Sequence, residues 1–246
     1  MNLVQLSREH HAGLRIDPSR AAATAATVHL VRIVRSEIRK AAAHYPLFFV
    51  KDGETGQFHL AALMGLEPHE NLYWDGSTLD TGYVPLNIRR QPFYIGGEDA
   101  MAGVICVDLE SPALDPAGTC AIVEADGSDS RYIAQVQAML GELARGQEPT
   151  QALIALAVSL KLVIEITLDV AFDNGTHCTP SGLYGIDQRA LSRQHGMLAD
   201  FDLALDLAAI LLSLEQVAGL VRRKNRRIAD EAAWFAPGVQ PAGRAG

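Results

Sequence analysis

With 246 residues, of which 48% are hydrophobic and 20% charged, the chain has ordinary globular composition and enough apolar surface for a substantial core, which excludes fibrous and wholly disordered classes. A formal net charge of −8 argues against a surface that attracts phosphate backbones, so no nucleic-acid partner is expected. Cys106, Cys120 and Cys178 stand far apart, odd in number and without CxxC spacing, so neither a zinc knuckle nor a disulfide framework is indicated. A reducing compartment is the simpler reading.

The N-terminal stretch MNLVQLSREHHAGLRIDP lacks a basic segment followed by an apolar one, so no secretory signal is expected and the chain reads as cytoplasmic. It reads as an extended arm. Residues 28–34 are then either a short strand or the start of a helix ending near His44, a choice that periodicity does not settle. Pro46 favours an extended Tyr45, and LFFV over residues 47–50 is rich in β-formers and bounded by Asp52-Gly53, so it reads as a strand. GETG supplies a turn, with Gly53 and Gly56 able to take positive φ, and residues 57–64 return as the partner strand. His44 and His59 lack a third ligand, and they read as structural histidines; no metal is expected.

Asn71-Leu72-Tyr73-Trp74, closed by Asp75-Gly76, and residues 103–109 read as further strands of the sheet. Between them YVPLNIRRQPF (83–93) holds a short helical turn bracketed by Pro85 and Pro92. Over residues 129–145 apolar positions recur at Ile133, Val136, Leu140 and Leu143, predicting an amphipathic helix closed by Gly146. A second helix is predicted from Pro149 to about residue 160, with Pro149 in its first turn. Residues 163–170 alternate, placing Ile164, Ile166, Leu168 and Val170 on one face. Asp173-Asn174-Gly175 predicts a type I′ turn, the chain returning through Leu183-Tyr184-Gly185-Ile186 to a helix capped by Asp187. The last third is helical and aliphatic over 198–214, then apolar at Leu214, Val217, Leu220 and Val221 towards RRKNRR. The most apolar windows, 152–163 and 203–214, read as too short and too closely flanked by charge to span a bilayer. Residues 1–235 form one predicted α+β domain of antiparallel hairpins covered by helices; residues 236–246 are expected to be a disordered tail.

Candidate chemistry is sparse. Tyr83, Arg89, Arg90 and Phe93, with the two prolines, make the one dense polar-aromatic cluster, where a guanidinium beside a tyrosine can hold a carboxylate bidentately. The structural alternative, favoured here, is that the arginines bond nearby carbonyls or an acidic side chain. Asp173, His177, Cys178 and Ser181 superficially resemble a nucleophile with its base and acid, but no nucleophile elbow accompanies them and they read as incidental turn residues. No glycine pattern forms a nucleotide cradle, so no cofactor is expected. Glu67, Glu70, Asp75 and Asp80 have no calcium-loop rhythm and read as solvated turn positions. Arg222, Arg223, Lys224, Arg226 and Arg227 read as complementing the negative end of a helix dipole, or as a docking surface for an acidic partner.

HYPLFFVKD followed by HLAALMGLEPHENLYW and YVPLNIRRQPF, then VICVDLES and DNGTHCTPSGLYGIDQRAL, resembles the SapC-like family of bacterial proteins over roughly residues 3–220. The chain departs from that pattern in reading STLDTG where the family commonly has an aromatic residue before Tyr-x-Pro. The resemblance implies surface-layer association by name and carries over no catalytic residue. It suggests protein partners: a surface-layer protein, a receptor such as a TonB-dependent one, or a neighbouring oxygenase- or halogenase-like protein. A non-enzymatic accessory protein is the favoured expectation. The rivals are a small-molecule or peptide-binding module centred on Tyr83, Arg89 and Arg90, and an enzyme of unrecognised type.

Overall fold

The computed structural model describes residues 1–96, 103–194 and 200–235; the predicted tail at 236–246 lies outside them. The N-terminus is not a free arm, a correction to the expectation from sequence. β1 (Leu3–Gln5), α1 (Arg8–His11), β2 (Arg15–Ile16) and α2 (Pro18–Ala23) are woven into the fold. Asp17 caps α2, with Pro18 in its first turn, where a missing N–H costs nothing. β3 (Leu30–Arg32) and α3 (Ile38–Ala42) divide the ambiguous segment between strand and helix, with a 3-10 turn between them.

β4 (Leu47–Lys51) pairs antiparallel with β5 (Phe58–Leu63), as the hairpin pattern predicts. Gly56 takes φ 67° at the turn, while Asp52 accepts the Glu54 and Thr55 N–H groups. After α4 (Leu86–Arg89) and β6 (Phe93–Ile95) comes β7 (Ile105–Asp108), which joins β1 and β6 in a separate three-stranded sheet. Residues 71–74 are not a strand. Asn71 and Tyr73 are buried, and Trp74 makes only an isolated bridge to Leu79 across the Gly76 turn. The Asn71 side chain takes its own Tyr73 N–H and donates to Ala25 O, so local side-chain bonding replaces a ladder.

β8 (Cys120–Ala121) pairs with β2 and leads to α5 (Arg131–Ser159). The two helices predicted around Pro149 are one 29-residue helix. An interior proline costs about 3 kcal/mol relative to alanine, and packing on both sides outweighs it. The first half of α5 buries Ile133, Val136 and Leu140 in one apolar cluster with Ile16, Phe93 and Val107. The second half buries Leu153, Ile154 and Ala157 in the larger cluster around Phe48, Phe49 and Leu60. Beside the proline, Thr150 Oγ1 donates to Gly146 O at 2.5 Å and accepts the Arg35 N–H at 2.8 Å. Gly146 lies so close to Val34 that a Cβ would stand 2.7 Å from it.

β9 (Val163–Ile166) pairs with β12 (Leu183–Ile186), and between them β10 (Val170–Ala171) and β11 (His177–Cys178) form a two-stranded ribbon. Only Gly175 has positive φ in its turn, so Asn174 does not adopt the type I′ conformation predicted for it. Ile164, predicted to face inward, is 41% exposed because β9 is the outer strand. The main sheet runs β3-β5-β4-β12-β9, antiparallel throughout. Leu47, Phe48 and Phe49 are all fully buried, as consecutive residues are when both faces of a strand are covered. α6 (Gln188–Ser192) is capped by Asp187 as predicted.

α7 (Phe201–Leu212) and α8 (Val217–Phe235) follow, joined by a 3-10 turn. Together they make a continuous 34-residue rod, Phe201–Trp234, long and apolar enough by length and composition to cross a membrane, with 28% of its most apolar window buried. The expectation that no window is long enough is thereby corrected, since a 3-10 turn tightens the helix without ending it. The rod's inner face carries Leu203, Leu207, Ile210 and Leu220 into the core. It also carries the buried Asp206, held by Arg35 Nε at 2.7 Å and Arg39 Nε at 2.9 Å.

Candidate functional site

The strap from Tyr83 to Tyr94 is the densest polar feature predicted, and its residues divide into separate roles. Tyr83 Oη donates to Glu37 Oε1 at 2.8 Å; the Leu86 N–H donates to the same oxygen at 2.8 Å, and the Val34 N–H to Glu37 Oε2 at 3.1 Å. Glu37 is 1% exposed. Burial raises its pKa, against the lowering effect of those hydrogen bonds. Burial and the facing Glu37 carboxylate push the Tyr83 phenol up as well. Tyr45 Oη donates to Tyr83 O at 2.5 Å, its own phenol pushed up to about 12 by burial.

Arg90 is the tie at the other end. Its Nε donates to Asn87 Oδ1 at 2.8 Å and its Nη1 to Phe93 O at 2.6 Å, with the guanidinium stacked 4.2 Å from the Tyr94 ring centroid. Desolvation lowers its pKa. The structural role favoured from sequence therefore belongs to Arg90. Arg89, one residue earlier on α4, is exposed. Phe93 is fully buried in the second apolar cluster against Tyr132. Of Tyr83, Arg89, Arg90 and Phe93, only Arg90 lines the cleft that lies beside this strap.

A cleft of about 740 Å³ does lie beside Arg90, and it runs along β3. Its walls include Leu30, Arg32 and Val34 on one side, Arg90, Gln91 and Tyr94 on another, and Gln147, Thr150 and Gln151 of α5 on a third. β3 is the outer strand at the edge of the main sheet opposite β9. Because Ile33 N–H donates to Leu60 O and Met64 N–H to His29 O, the odd-numbered residues of this strand face β5. The backbone groups of Leu30 and Arg32 then point away from the sheet. Arg32 O accepts from Asn87 Nδ2 at 2.8 Å. The Leu30 N–H and C=O and the Arg32 N–H have no partner among the described residues.

The basic run is not at a helix end; it lies in the middle of α8, which continues to Phe235. The dipole reading fails for that reason. The acidic partner is internal for part of the run: Arg223 binds Asp80 at 2.8 Å, and Lys224 binds Glu67 and Glu70, each at 2.6 Å. Arg227 Nη2 donates to the carbonyls of Asn71 and Trp74. Glu70, read from sequence as solvated, keeps only 10% of its side chain exposed. Burial acts to lower the pKa of Lys224, but its bonds to Glu67 and Glu70 outweigh this and hold it above the usual lysine value. Asp75 behaves as a turn residue, with the Thr78 and Ser77 N–H groups lowering it to about 2.

Asp173, His177, Cys178 and Ser181 share the β10–β11 ribbon region, and no hydrogen bond joins their side chains among the described residues. Burial raises the Cys178 thiol, opposite to what a reactive thiolate needs. Among the described residues no group of three or more His, Cys, Asp or Glu side chains is arranged to hold a metal ion.

The family model described as SapC matches residues 6–220. The chain belongs to the SapC family. No curated protein and no solved structure matches it. In this SapC chain the sequence pointed to Arg90 but missed Glu37, Asn87, Tyr94 and the open edge of β3. Glu37 carries one legible signal, an acid three residues after the start of a helical turn at Val34, where it can accept the free N–H. Which edge of the sheet stays uncovered is a property of strand order, and no local pattern encodes it.

Proposed function

We propose that this SapC-family protein is a non-enzymatic interaction protein that receives an extended polypeptide segment along β3. The single observation that carries the reading is the cleft itself, where an uncovered strand edge opens into about 740 Å³. An extended peptide satisfies such an edge by adding a strand, its backbone taking the donors and acceptors and its alternate side chains filling the walls. Arg32, Arg90, Asp108 and Glu110 also line the cleft but are each bonded within the molecule, so the strand edge itself carries the recognition. The partner classes that the family resemblance implies are a surface-layer protein, a receptor or an oxygenase-like protein.

Selection from a displayed library of random peptides tests the reading, using two variants as controls. Leu30→Pro removes an outward N–H while leaving the bonds to β5 intact, a substitution suited to an edge strand. Gln151→Trp places a bulky side chain from the exposed surface of α5 into the cleft. The expected outcome is a family of peptides that bind the native chain and lose binding to both variants. Peptides that bind all three proteins equally, or no enriched peptides, would overturn the reading.

A further inference from the structure

Three of the five basic residues of α8 are held within the molecule, and two are not. Arg222 and Arg226 are exposed and make no ion pair or hydrogen bond among the described residues. They stand at i and i+4, on one face of α8, where like charges repel each other. Both line the same groove of about 560 Å³, together with Gln216 and Gly219 of α8 and, from the facing loops, His44, Thr81 and Gly82. The His44 ring lies against Gly82, where a Cβ would stand 2.5 Å from its Cε1. It makes no hydrogen bond among the described residues. Asp80, the acid of this groove, is already bound by Arg223.

We infer that this groove is a binding site for a phosphoryl group carried on a small molecule. Two guanidinium groups without an acidic partner among the described residues match the charge of a dianion. Their fork-shaped donors also outnumber the acceptors that one carboxylate offers, whereas a phosphoryl group presents three oxygens. Gln216 and the His44 ring add further polar groups around it. The volume falls within the range of small-molecule pockets, which is about 300–1,000 Å³, and leaves room for the rest of a phosphate ester. No residue of this groove lines the β3 cleft, so the site stands or falls apart from the peptide reading.

Isothermal titration with phenyl phosphate, and separately with vesicles containing phosphatidic acid, tests the inference and distinguishes a soluble ester from a lipid headgroup. The native chain should bind at least one probe. Arg222→Ala and Arg226→Ala should each weaken that binding tenfold or more, while Arg189→Ala, which removes an exposed arginine from α6, should leave it unchanged. Thermal melts of the two groove variants should match the native chain, because neither side chain bonds to the described fold. Absence of binding to both probes, binding indifferent to Arg222 and Arg226, or equal weakening by Arg189→Ala would each overturn the site.

Discussion

Truncating Arg90 to alanine should unfasten the strap between α4 and β6. The substitution deletes the bonds to Asn87 Oδ1 at 2.8 Å and Phe93 O at 2.6 Å, and the stack 4.2 Å from the Tyr94 ring. A hydrogen bond from a charged donor contributes about 1.5–3 kcal/mol net, and a guanidinium over an aromatic face about 0.5–2 kcal/mol. These contributions do not add fully. The half-buried Asn87 acceptor can partly rehydrate, and the desolvation that lowers the Arg90 pKa is relieved when the charge is removed. The expected net loss is about 2 kcal/mol, as for a buried acceptor left unpaired. Arg89→Ala, on the exposed side of the same turn, should stay within about 0.5 kcal/mol of the native chain. Arg90→Lys keeps the charge but not the two-pronged geometry, so it should fall between them. Urea titration measures all three, with the midpoint read alongside an unchanged slope to show that only stability has moved. An Arg90→Ala midpoint equal to the native one, or equal losses at positions 89 and 90, would refute the assignment of the tie to Arg90.

Lys224→Ala strips the buried Glu70 carboxylate of its ammonium partner, leaving it the Leu66 N–H, and should cost about 1–3 kcal/mol; a double-mutant cycle with Glu70→Gln should show positive coupling, and additivity would contradict the pairing. Asp52 is held at about 2, chiefly by the Thr55 N–H and hydroxyl, below its unfolded value. Its contribution is therefore complete above the ordinary carboxylate range and is lost as pH falls through the folded value. The stability gap between the native chain and Asp52→Ala should accordingly close on acidification from pH 4 to about 2, and a gap independent of pH in chemical denaturation would contradict it. Gly65→Ala places a Cβ 2.1 Å from Glu70 O, a backbone atom that cannot swing aside, so it should cost at least about 1–3 kcal/mol by thermal or chemical melts.

The sequence by itself determined the elements whose cause is local. Tyr45-Pro46 and the run to Val50, with Asp52 and Gly56 at the turn, contain their own reasons to form a hairpin, and Asp187 needs only its neighbours to cap α6. The helical turn of Leu86–Arg89 and its bonded arginine were legible for the same reason: a proline bracket and a guanidinium reach only a few residues. The tertiary structure decided everything that depends on what a segment meets far along the chain. Pro149 reads as the start of a helix until Val34, Arg35 and two apolar clusters hold α5 straight through it. The basic run reads as a dipole partner until the loop with Glu67, Glu70 and Asp80 folds against α8 and takes three of its five charges, leaving Arg222 and Arg226 facing a groove. β3 reads as an ordinary short strand, and it is an edge only because β5 covers one side and no strand among the described residues covers the other. Periodicity and capping report interactions within a few residues, whereas edges, grooves and unpaired charges are differences between what a residue offers and what distant residues supply.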